Sequence, residues 1–163
     1  MVYEAETAVR RWLMKAVRES TGELFSQFSG LTESALRWRP AEGELSLKEI
    51  AGHMRDAESL WQLQIETIAH EDHPTLPYEA IEVMAFERDY RDERLSRMLD
   101  EYESARQETF WLLRTLDDDE WQRTGVHPYR GAISILDIVR ELHQHDLEHL
   151  YEARKLRESV ERL

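Results

Sequence analysis

The sequence predicts an all-α protein: a four-helix bundle with a long loop before its last helix. Three observations carry this reading. Apolar residues recur at spacings of three and four through most of the chain. Two serine-headed capping boxes open long segments. The six Gly and four Pro of these 163 residues mark breaks between periodic segments. No stretch reads convincingly as a strand, and nothing repeats.

The first helix is expected over residues 4–28, on the stripe Ala8, Trp12, Leu13, Val17, Leu24 and Phe28, and Gly30 ends it. A short turn over residues 32–38 leads to Pro40. Ser46-Leu47-Lys48-Glu49 places a hydroxyl at an N-cap and a carboxylate three residues later, so a second helix starts there. Its stripe is Leu47, Ile50, Met54, Ala57, Trp61, Ile65 and Ile68, and it runs to about residue 69. Pro74 and Pro77 make residues 71–78 a loop. A third helical stretch covers residues 79–116 and breaks near 90–94, where charge dominates. Residues 117–134 form the longest irregular segment, with a short turn at 118–123 where Asp117-Asp118-Asp119-Glu120 suits a helix N-terminus. Ser134-Ile135-Leu136-Asp137 is the second capping box and opens the last helix, which runs nearly to the end. The whole, residues 1–163, reads as a single domain, long enough to bury a core without staples.

Composition narrows the function classes. A formal net charge of -13 disfavours nucleic acid and anionic membrane surfaces as partners. There is no cysteine, which excludes a disulfide framework, a Cys-based zinc site and a thiol nucleophile. The opening MVYEAETAVRRWLMK lacks the apolar core of a secretory signal. No stretch approaches the roughly 20 apolar residues of a membrane span. The expected location is cytoplasmic.

The histidines single out a site. Along the last helix the apolar seam is Ile135, Ile138, Leu142, then Ala153 or Leu156, then Val160. His145 and His149 interrupt it where Leu or Ile is expected. Four residues apart, they stack on one face, one turn from each other. Two imidazoles so placed converge on one ion, as in helical zinc motifs. A third ligand is His53, at the edge of the second helix's stripe beside Ala57 and Leu60. Three His with an open position form a catalytic-type site. The ligands must be neutral, so binding is expected to weaken below about pH 6.5. The alternative is a metal-free bundle whose core imidazoles find hydrogen-bond partners. His143 lies off the seam, and His70, His73 and His127 fall in loops. Trp61, Trp111, Trp121 and Tyr151 line either a pocket or the core.

Two stretches around these residues resemble the DinB-like (YfiT-like) superfamily of small helical proteins. WRPAEGELSLKEIAGHMRDAE, residues 38–58, carries Trp-x-Pro, a Ser at a helix head, then His followed by Asp and Glu. GVHPYRGAISILDIVRELHQHDLEHL, residues 125–150, carries His-Pro, a later Gly and Ser cap, then H-D-x-x-H. The resemblance implies a four-helix bundle with a three-histidine metal site, and position by position the ligands fall on His53, His145 and His149. Many members have Gln shortly after the last His; here Glu152 stands in that region.

The resemblance implies a metal-dependent enzyme, either a hydrolase or a transferase using a low-molecular-weight thiol. The substrate is then a small molecule, with a thiol cofactor for the second chemistry. The competing class is a non-catalytic metal-binding or stress-response bundle acting through association. A pocket beside an open coordination position favours the enzyme; an occluded four-ligand site favours a structural metal. Zn or Ni is the first expectation for the divalent ion, with Fe, Mn or Cu also suited to three nitrogen ligands. No catalytic group stands out: Asp56, Glu58, Glu141 and Asp146 are nearest in sequence to the ligands, and any of them could orient an imidazole. Long helices, five Trp and the family's habit suggest a two-fold homodimer. The site is expected at the end of the bundle where the second and last helices begin. Residues 32–45 and 117–134 would then rim its pocket, with Trp38, Trp121 or His127 lining it.

Overall fold

The computed structural model describes residues 2–163, with side-chain surroundings from residue 6 onward. In chain order the elements are α1 (Val2–Ser26), α2 (Glu33–Arg37), α3 (Leu47–His70), α4 (Ile81–Glu87), a 3-10 turn (Tyr90–Asp92), α5 (Leu95–Thr115), α6 (Asp118–Trp121), β1 (Thr124–His127), β2 (Gly131–Ser134) and α7 (Ile135–Glu161). The four long helices, α1, α3, α5 and α7, form the bundle.

Both serine capping boxes are present. Ser46 Oγ accepts from Glu49 N–H at 3.2 Å and Glu49 Oε1 accepts from Ser46 N–H at 3.1 Å. Ser134 and Asp137 make the same exchange at the head of α7. Asp117 and Glu120 cap α6 likewise. These reciprocal bonds satisfy donors that the helix start would otherwise orphan. Glu49 is further held by a two-pronged ion pair with Arg39, at 2.7 Å on each arm.

Side-chain bonds give the helix directions. Ser20, Glu23 and Gln27 on or just after α1 meet Asp146, Arg154 and Arg157 on α7 in rising order, so these two helices run parallel. Arg55 and Gln62 of α3 meet Glu101 and Glu108 of α5, again in rising order. The α1/α7 pair opposes the α3/α5 pair. The end of α3 accompanies the start of α7, because Arg123 bonds the carbonyl of Ala69 while its own carbonyl accepts from Ile135 N–H. Two parallel neighbours in sequence require a connection as long as the bundle. Residues 71–94 supply it and carry α4 along α3.

The core divides in two. One cluster joins Leu13, Trp61, Ile65, Ile68, Leu113, Trp121, Ile135 and Ile138. The other joins Leu24, Leu47, Ile50, Tyr102, Leu150, Leu156 and Val160. Between them, at mid-bundle, every long helix contributes a buried polar side chain: Ser20, His53 and Glu58, Arg106, and His145 with Asp146 and His149. The Arg106 guanidinium lies 2.8 and 2.9 Å from Asp146 and 2.8 Å from Glu58. Burial alone would disfavour its charge, but Glu58, Tyr102 and Asp146 outweigh that and push its pKa well up.

Several expectations are corrected. Residues 117–134 are not all irregular. They contain an antiparallel hairpin pairing Thr124 with Ser134 through His127 with Gly131. It is stitched to the crossover where Leu76 N–H donates to Val126 O at 2.9 Å. A side chain at Gly125 would press on Leu76, whose Cδ2 lies 2.5 Å from the would-be Cβ. Its strands are four residues long, and glycine begins one and interrupts the other. Propensity therefore does not announce them. The third helical stretch does break where expected, with the 3-10 turn Tyr90–Asp92 between α4 and α5. Not every glycine marks a break, since Gly52 lies inside α3 with the Tyr90 ring packed where a Cβ would stand. Trp12, on the predicted stripe of α1, is 60% exposed and stands edge-on to the His143 ring. Trp111 and Tyr151 are exposed as well, whereas Trp61 and Trp121 are buried.

Candidate metal centre

His53, in the second turn of α3, and His145 and His149, one turn apart on α7, meet in the polar layer. All three are buried. His53 Nε2 lies 2.9 Å from His145 Nε2, which lies 3.2 Å from His149 Nε2. Helix geometry brings this about: the i, i+4 pair presents two rings on one face, and α3 crosses that face with His53. The Trp61 ring closes the side of the cluster, edge-on to His145 at 4.9 Å between ring centres.

A fourth group joins them that the sequence reading missed. Glu82, from α4 on the crossover, places Oε1 3.1 Å from His145 Nε2 and 3.5 Å from His53 Nε2. One atom from each of His53, Glu82, His145 and His149 can be chosen so that all four lie within 4.8 Å of one another. Hydrogen bonds from His145 and His53 hold the Glu82 carboxyl far below its ordinary pKa. Burial pulls the His145 pKa down, against the opposing pull of Glu82. A carboxylate beside a neutral His145 is the protonation state metal ligands need.

Proton counting supports a cation here. His149 Nδ1 lies 2.9 Å from Glu152 Oε2. If its proton sits on Nδ1, Nε2 is a bare lone pair facing the cluster. His145 Nε2 has three close neighbours, two imidazole nitrogens and a carboxylate oxygen, yet can carry one proton. The buried Nδ1 atoms of His53 and His145 have no hydrogen-bond partner among the described residues. With their protons on Nδ1, the three imidazoles would turn Nε2 lone pairs toward one another, and with the Glu82 oxygen these form an ordinary donor set for a divalent ion. With donors about 2.0–2.1 Å from an ion, tetrahedral neighbours would stand about 3.3 Å apart, close to the 2.9, 3.1, 3.2 and 3.5 Å spacings that link His53, His145, His149 and Glu82.

The four carboxylates nearest in sequence do not touch the imidazoles. Asp56 accepts from the Tyr90 hydroxyl and pairs with Arg88 at 2.6 Å. Glu58 and Asp146 hold Arg106. Glu141 pairs with Arg130. Glu152 meets an imidazole instead, its Oε2 against His149 Nδ1, a contact by which a carboxylate fixes the orientation of a histidine ring.

The location also differs from expectation. Because α3 and α7 run antiparallel, their starts lie at opposite ends, and His53 meets the middle of α7. The cluster therefore sits at mid-bundle. A cavity of about 300 Å³ adjoins it, sharing Trp61 and Glu82 and lined also by Tyr78, His127 and Arg130. Its wall comes from α3, the crossover and, through His127 and Arg130, the expected residues 117–134, but not from residues 32–45. Of the three expected lining residues, only His127 faces this cavity. It is a buried strand residue, not a loop one, and burial lowers its pKa. Residues Pro40, Glu44 and Leu45 rim a separate cavity of about 310 Å³ on the side of Glu152.

Comparison with known proteins agrees with this architecture. YfiT from Bacillus subtilis, described as "a probable metal-dependent hydrolase with an unusual four-helix bundle topology", superposes with a TM-score of 0.83 at 17% sequence identity. The match covers 93% of this chain and 87% of that one. At this identity it speaks for the fold. No curated protein matches the sequence. Among the described residues no helix is long and apolar enough to cross a membrane. The sequence profile of the DinB superfamily matches residues 15–153, nearly the whole bundle, and the chain belongs to that superfamily.

Proposed function

We propose that the protein is a divalent-metal-dependent hydrolase whose ligands are His53, His145 and His149. The observation that carries this reading is the convergence of three buried Nε2 atoms on one point. The description of YfiT, a protein of the same fold, as a probable metal-dependent hydrolase supports the reaction class. So does the adjoining cavity, since a structural ion needs no space for a substrate. A divalent ion held there supplies Lewis acidity, polarising a substrate oxygen and making water acidic near neutral pH.

The chain's own residues do the rest. Glu152 fixes the ring of His149. Trp61 screens His145 from water on one side. Leu60, Ile81 and Val83 give the cavity apolar walls, and Gln64, His127 and Arg130 give it polar points. That lining suits a small molecule with an apolar body and one or two polar groups.

The test is a screen of ester, amide and phosphoester substrates, together with thiol conjugates, on protein loaded with Zn or Ni. Hydrolysis that disappears with a chelator and returns with the metal is the expected result. Turnover of thiol conjugates alone would replace hydrolysis by thiol transfer at the same site. Activity indifferent to chelation would overturn the reading.

A further inference from the structure

We propose that Glu82 is a fourth, displaceable ligand, delivered to the ion by the crossover helix and removed from it when a substrate oxygen arrives. This rests on the metal-site reading above and adds a residue and a mode of opening to it. Without an ion the carboxylate accepts from an imidazole N–H; with an ion on the Nε2 atoms that bond is closed to it, and it is either a ligand or a base standing one layer out, which distance separates. Glu82 Oε1 is 3.1 Å and 3.5 Å from two imidazole nitrogens. Those nitrogens stand 2.9 Å and 3.2 Å from their own neighbours in the cluster. The oxygen thus stands at the same range from the imidazole nitrogens as they do from one another. A base acting through an intervening water sits a further hydrogen bond away, about 2.6–3.2 Å beyond the ligand layer.

Displaceability follows from where Glu82 is anchored. The three histidines project from long helices locked by the two core clusters. The Glu82 side chain is 67% exposed, and α4 packs chiefly on α3. The crossover is fastened on both sides of α4. Before it, Gln64 donates to Pro77 O at 2.9 Å. After it, Tyr90 is fully buried over Gly52, its hydroxyl on Asp56. Between these points the carboxylate can swing into the adjoining cavity, which it already lines, without disturbing the core. A four-ligand resting site of this kind is closed by one surface carboxylate and not by the bundle. It therefore differs from an occluded structural site.

The test uses Co(II)-loaded and Zn(II)-loaded full-length protein with Glu82→Ala and Glu82→Gln. Competition against a chromophoric chelator should show Zn affinity falling at least about tenfold in Glu82→Ala. The visible Co(II) spectrum of that variant should change and should shift back toward the wild-type spectrum on adding acetate. The wild-type spectrum should not respond to the same acetate concentration. Because Glu82 lies on the surface, far-ultraviolet circular dichroism should be unchanged, which excludes misfolding as the cause. Unaltered affinity and spectrum in Glu82→Ala, or an equal acetate response in the wild type, would overturn the proposal. Either result, with metal still lost on removing a histidine, would leave the three-histidine reading standing.

Discussion

His145→Ala should abolish tight binding of a divalent ion while leaving most of the helix content. His145 Nε2 is the hub of the cluster, within 3.2 Å of both other imidazoles and of Glu82. Without it the remaining pair, His53 and His149, has no shared neighbour on α7. The fold should survive because the two apolar clusters lie on either side of the polar layer and do not include this ring. Retained metal in His145→Ala, measured by equilibrium dialysis after reconstitution, would contradict the assignment. His70→Ala is the control: His70 ends α3, remote from the cluster, and occupancy should not change.

Arg106→Ala should be the most destabilising single change in the polar layer, by about 3–5 kcal/mol. Arg106 is 1% exposed, and its loss strands two carboxylates, Glu58 and Asp146, that are fully buried. It also removes the 2.7 Å bond to Thr21, which ties α5 to α1. For a chain of this size the midpoint of thermal unfolding should fall by roughly 10 °C. Arg106→Lys should recover only part of this, because an ammonium cannot reproduce the paired bonds to Asp146. A loss under about 1 kcal/mol for the alanine variant in urea unfolding would show that the layer tolerates the unpaired charges, against the general rule.

The bundle was legible because its signals are local. Ser46 with Glu49, and Ser134 with Asp137, declare helix starts in four residues each. The seam of α7 declares a site where two histidines replace expected apolar residues. These patterns live within one helix and survive whatever the tertiary arrangement is. The relative direction of α3 and α7 does not. It depends on how long the crossover is and which way it travels, and neither periodicity nor capping reports that. A site at an end of the bundle would need the two helices to start together, and they start at opposite ends.

Glu82 was hidden for the same reason. It is 29 positions from His53 in sequence and 63 from His145, so no ligand spacing points to it. A weak signal was present: between Ile81 and Phe86 it is the one charged residue in an otherwise apolar run. A lone carboxylate inside an apolar stretch has to face water or a cation. The hairpin was hidden by its shortness, since four-residue strands with glycine in both carry little propensity of their own.

The central claim is that this chain binds one divalent ion through three histidines. Native mass spectrometry of the purified full-length protein, after reconstitution with Zn(II) or Ni(II) and removal of excess metal, tests it directly. The account predicts one ion per chain, lost when the protein is denatured and absent from His145→Ala treated in parallel. Wild-type protein that emerges with no ion from Zn, Ni, Fe and Mn alike, or a variant that keeps the same single ion, would contradict it.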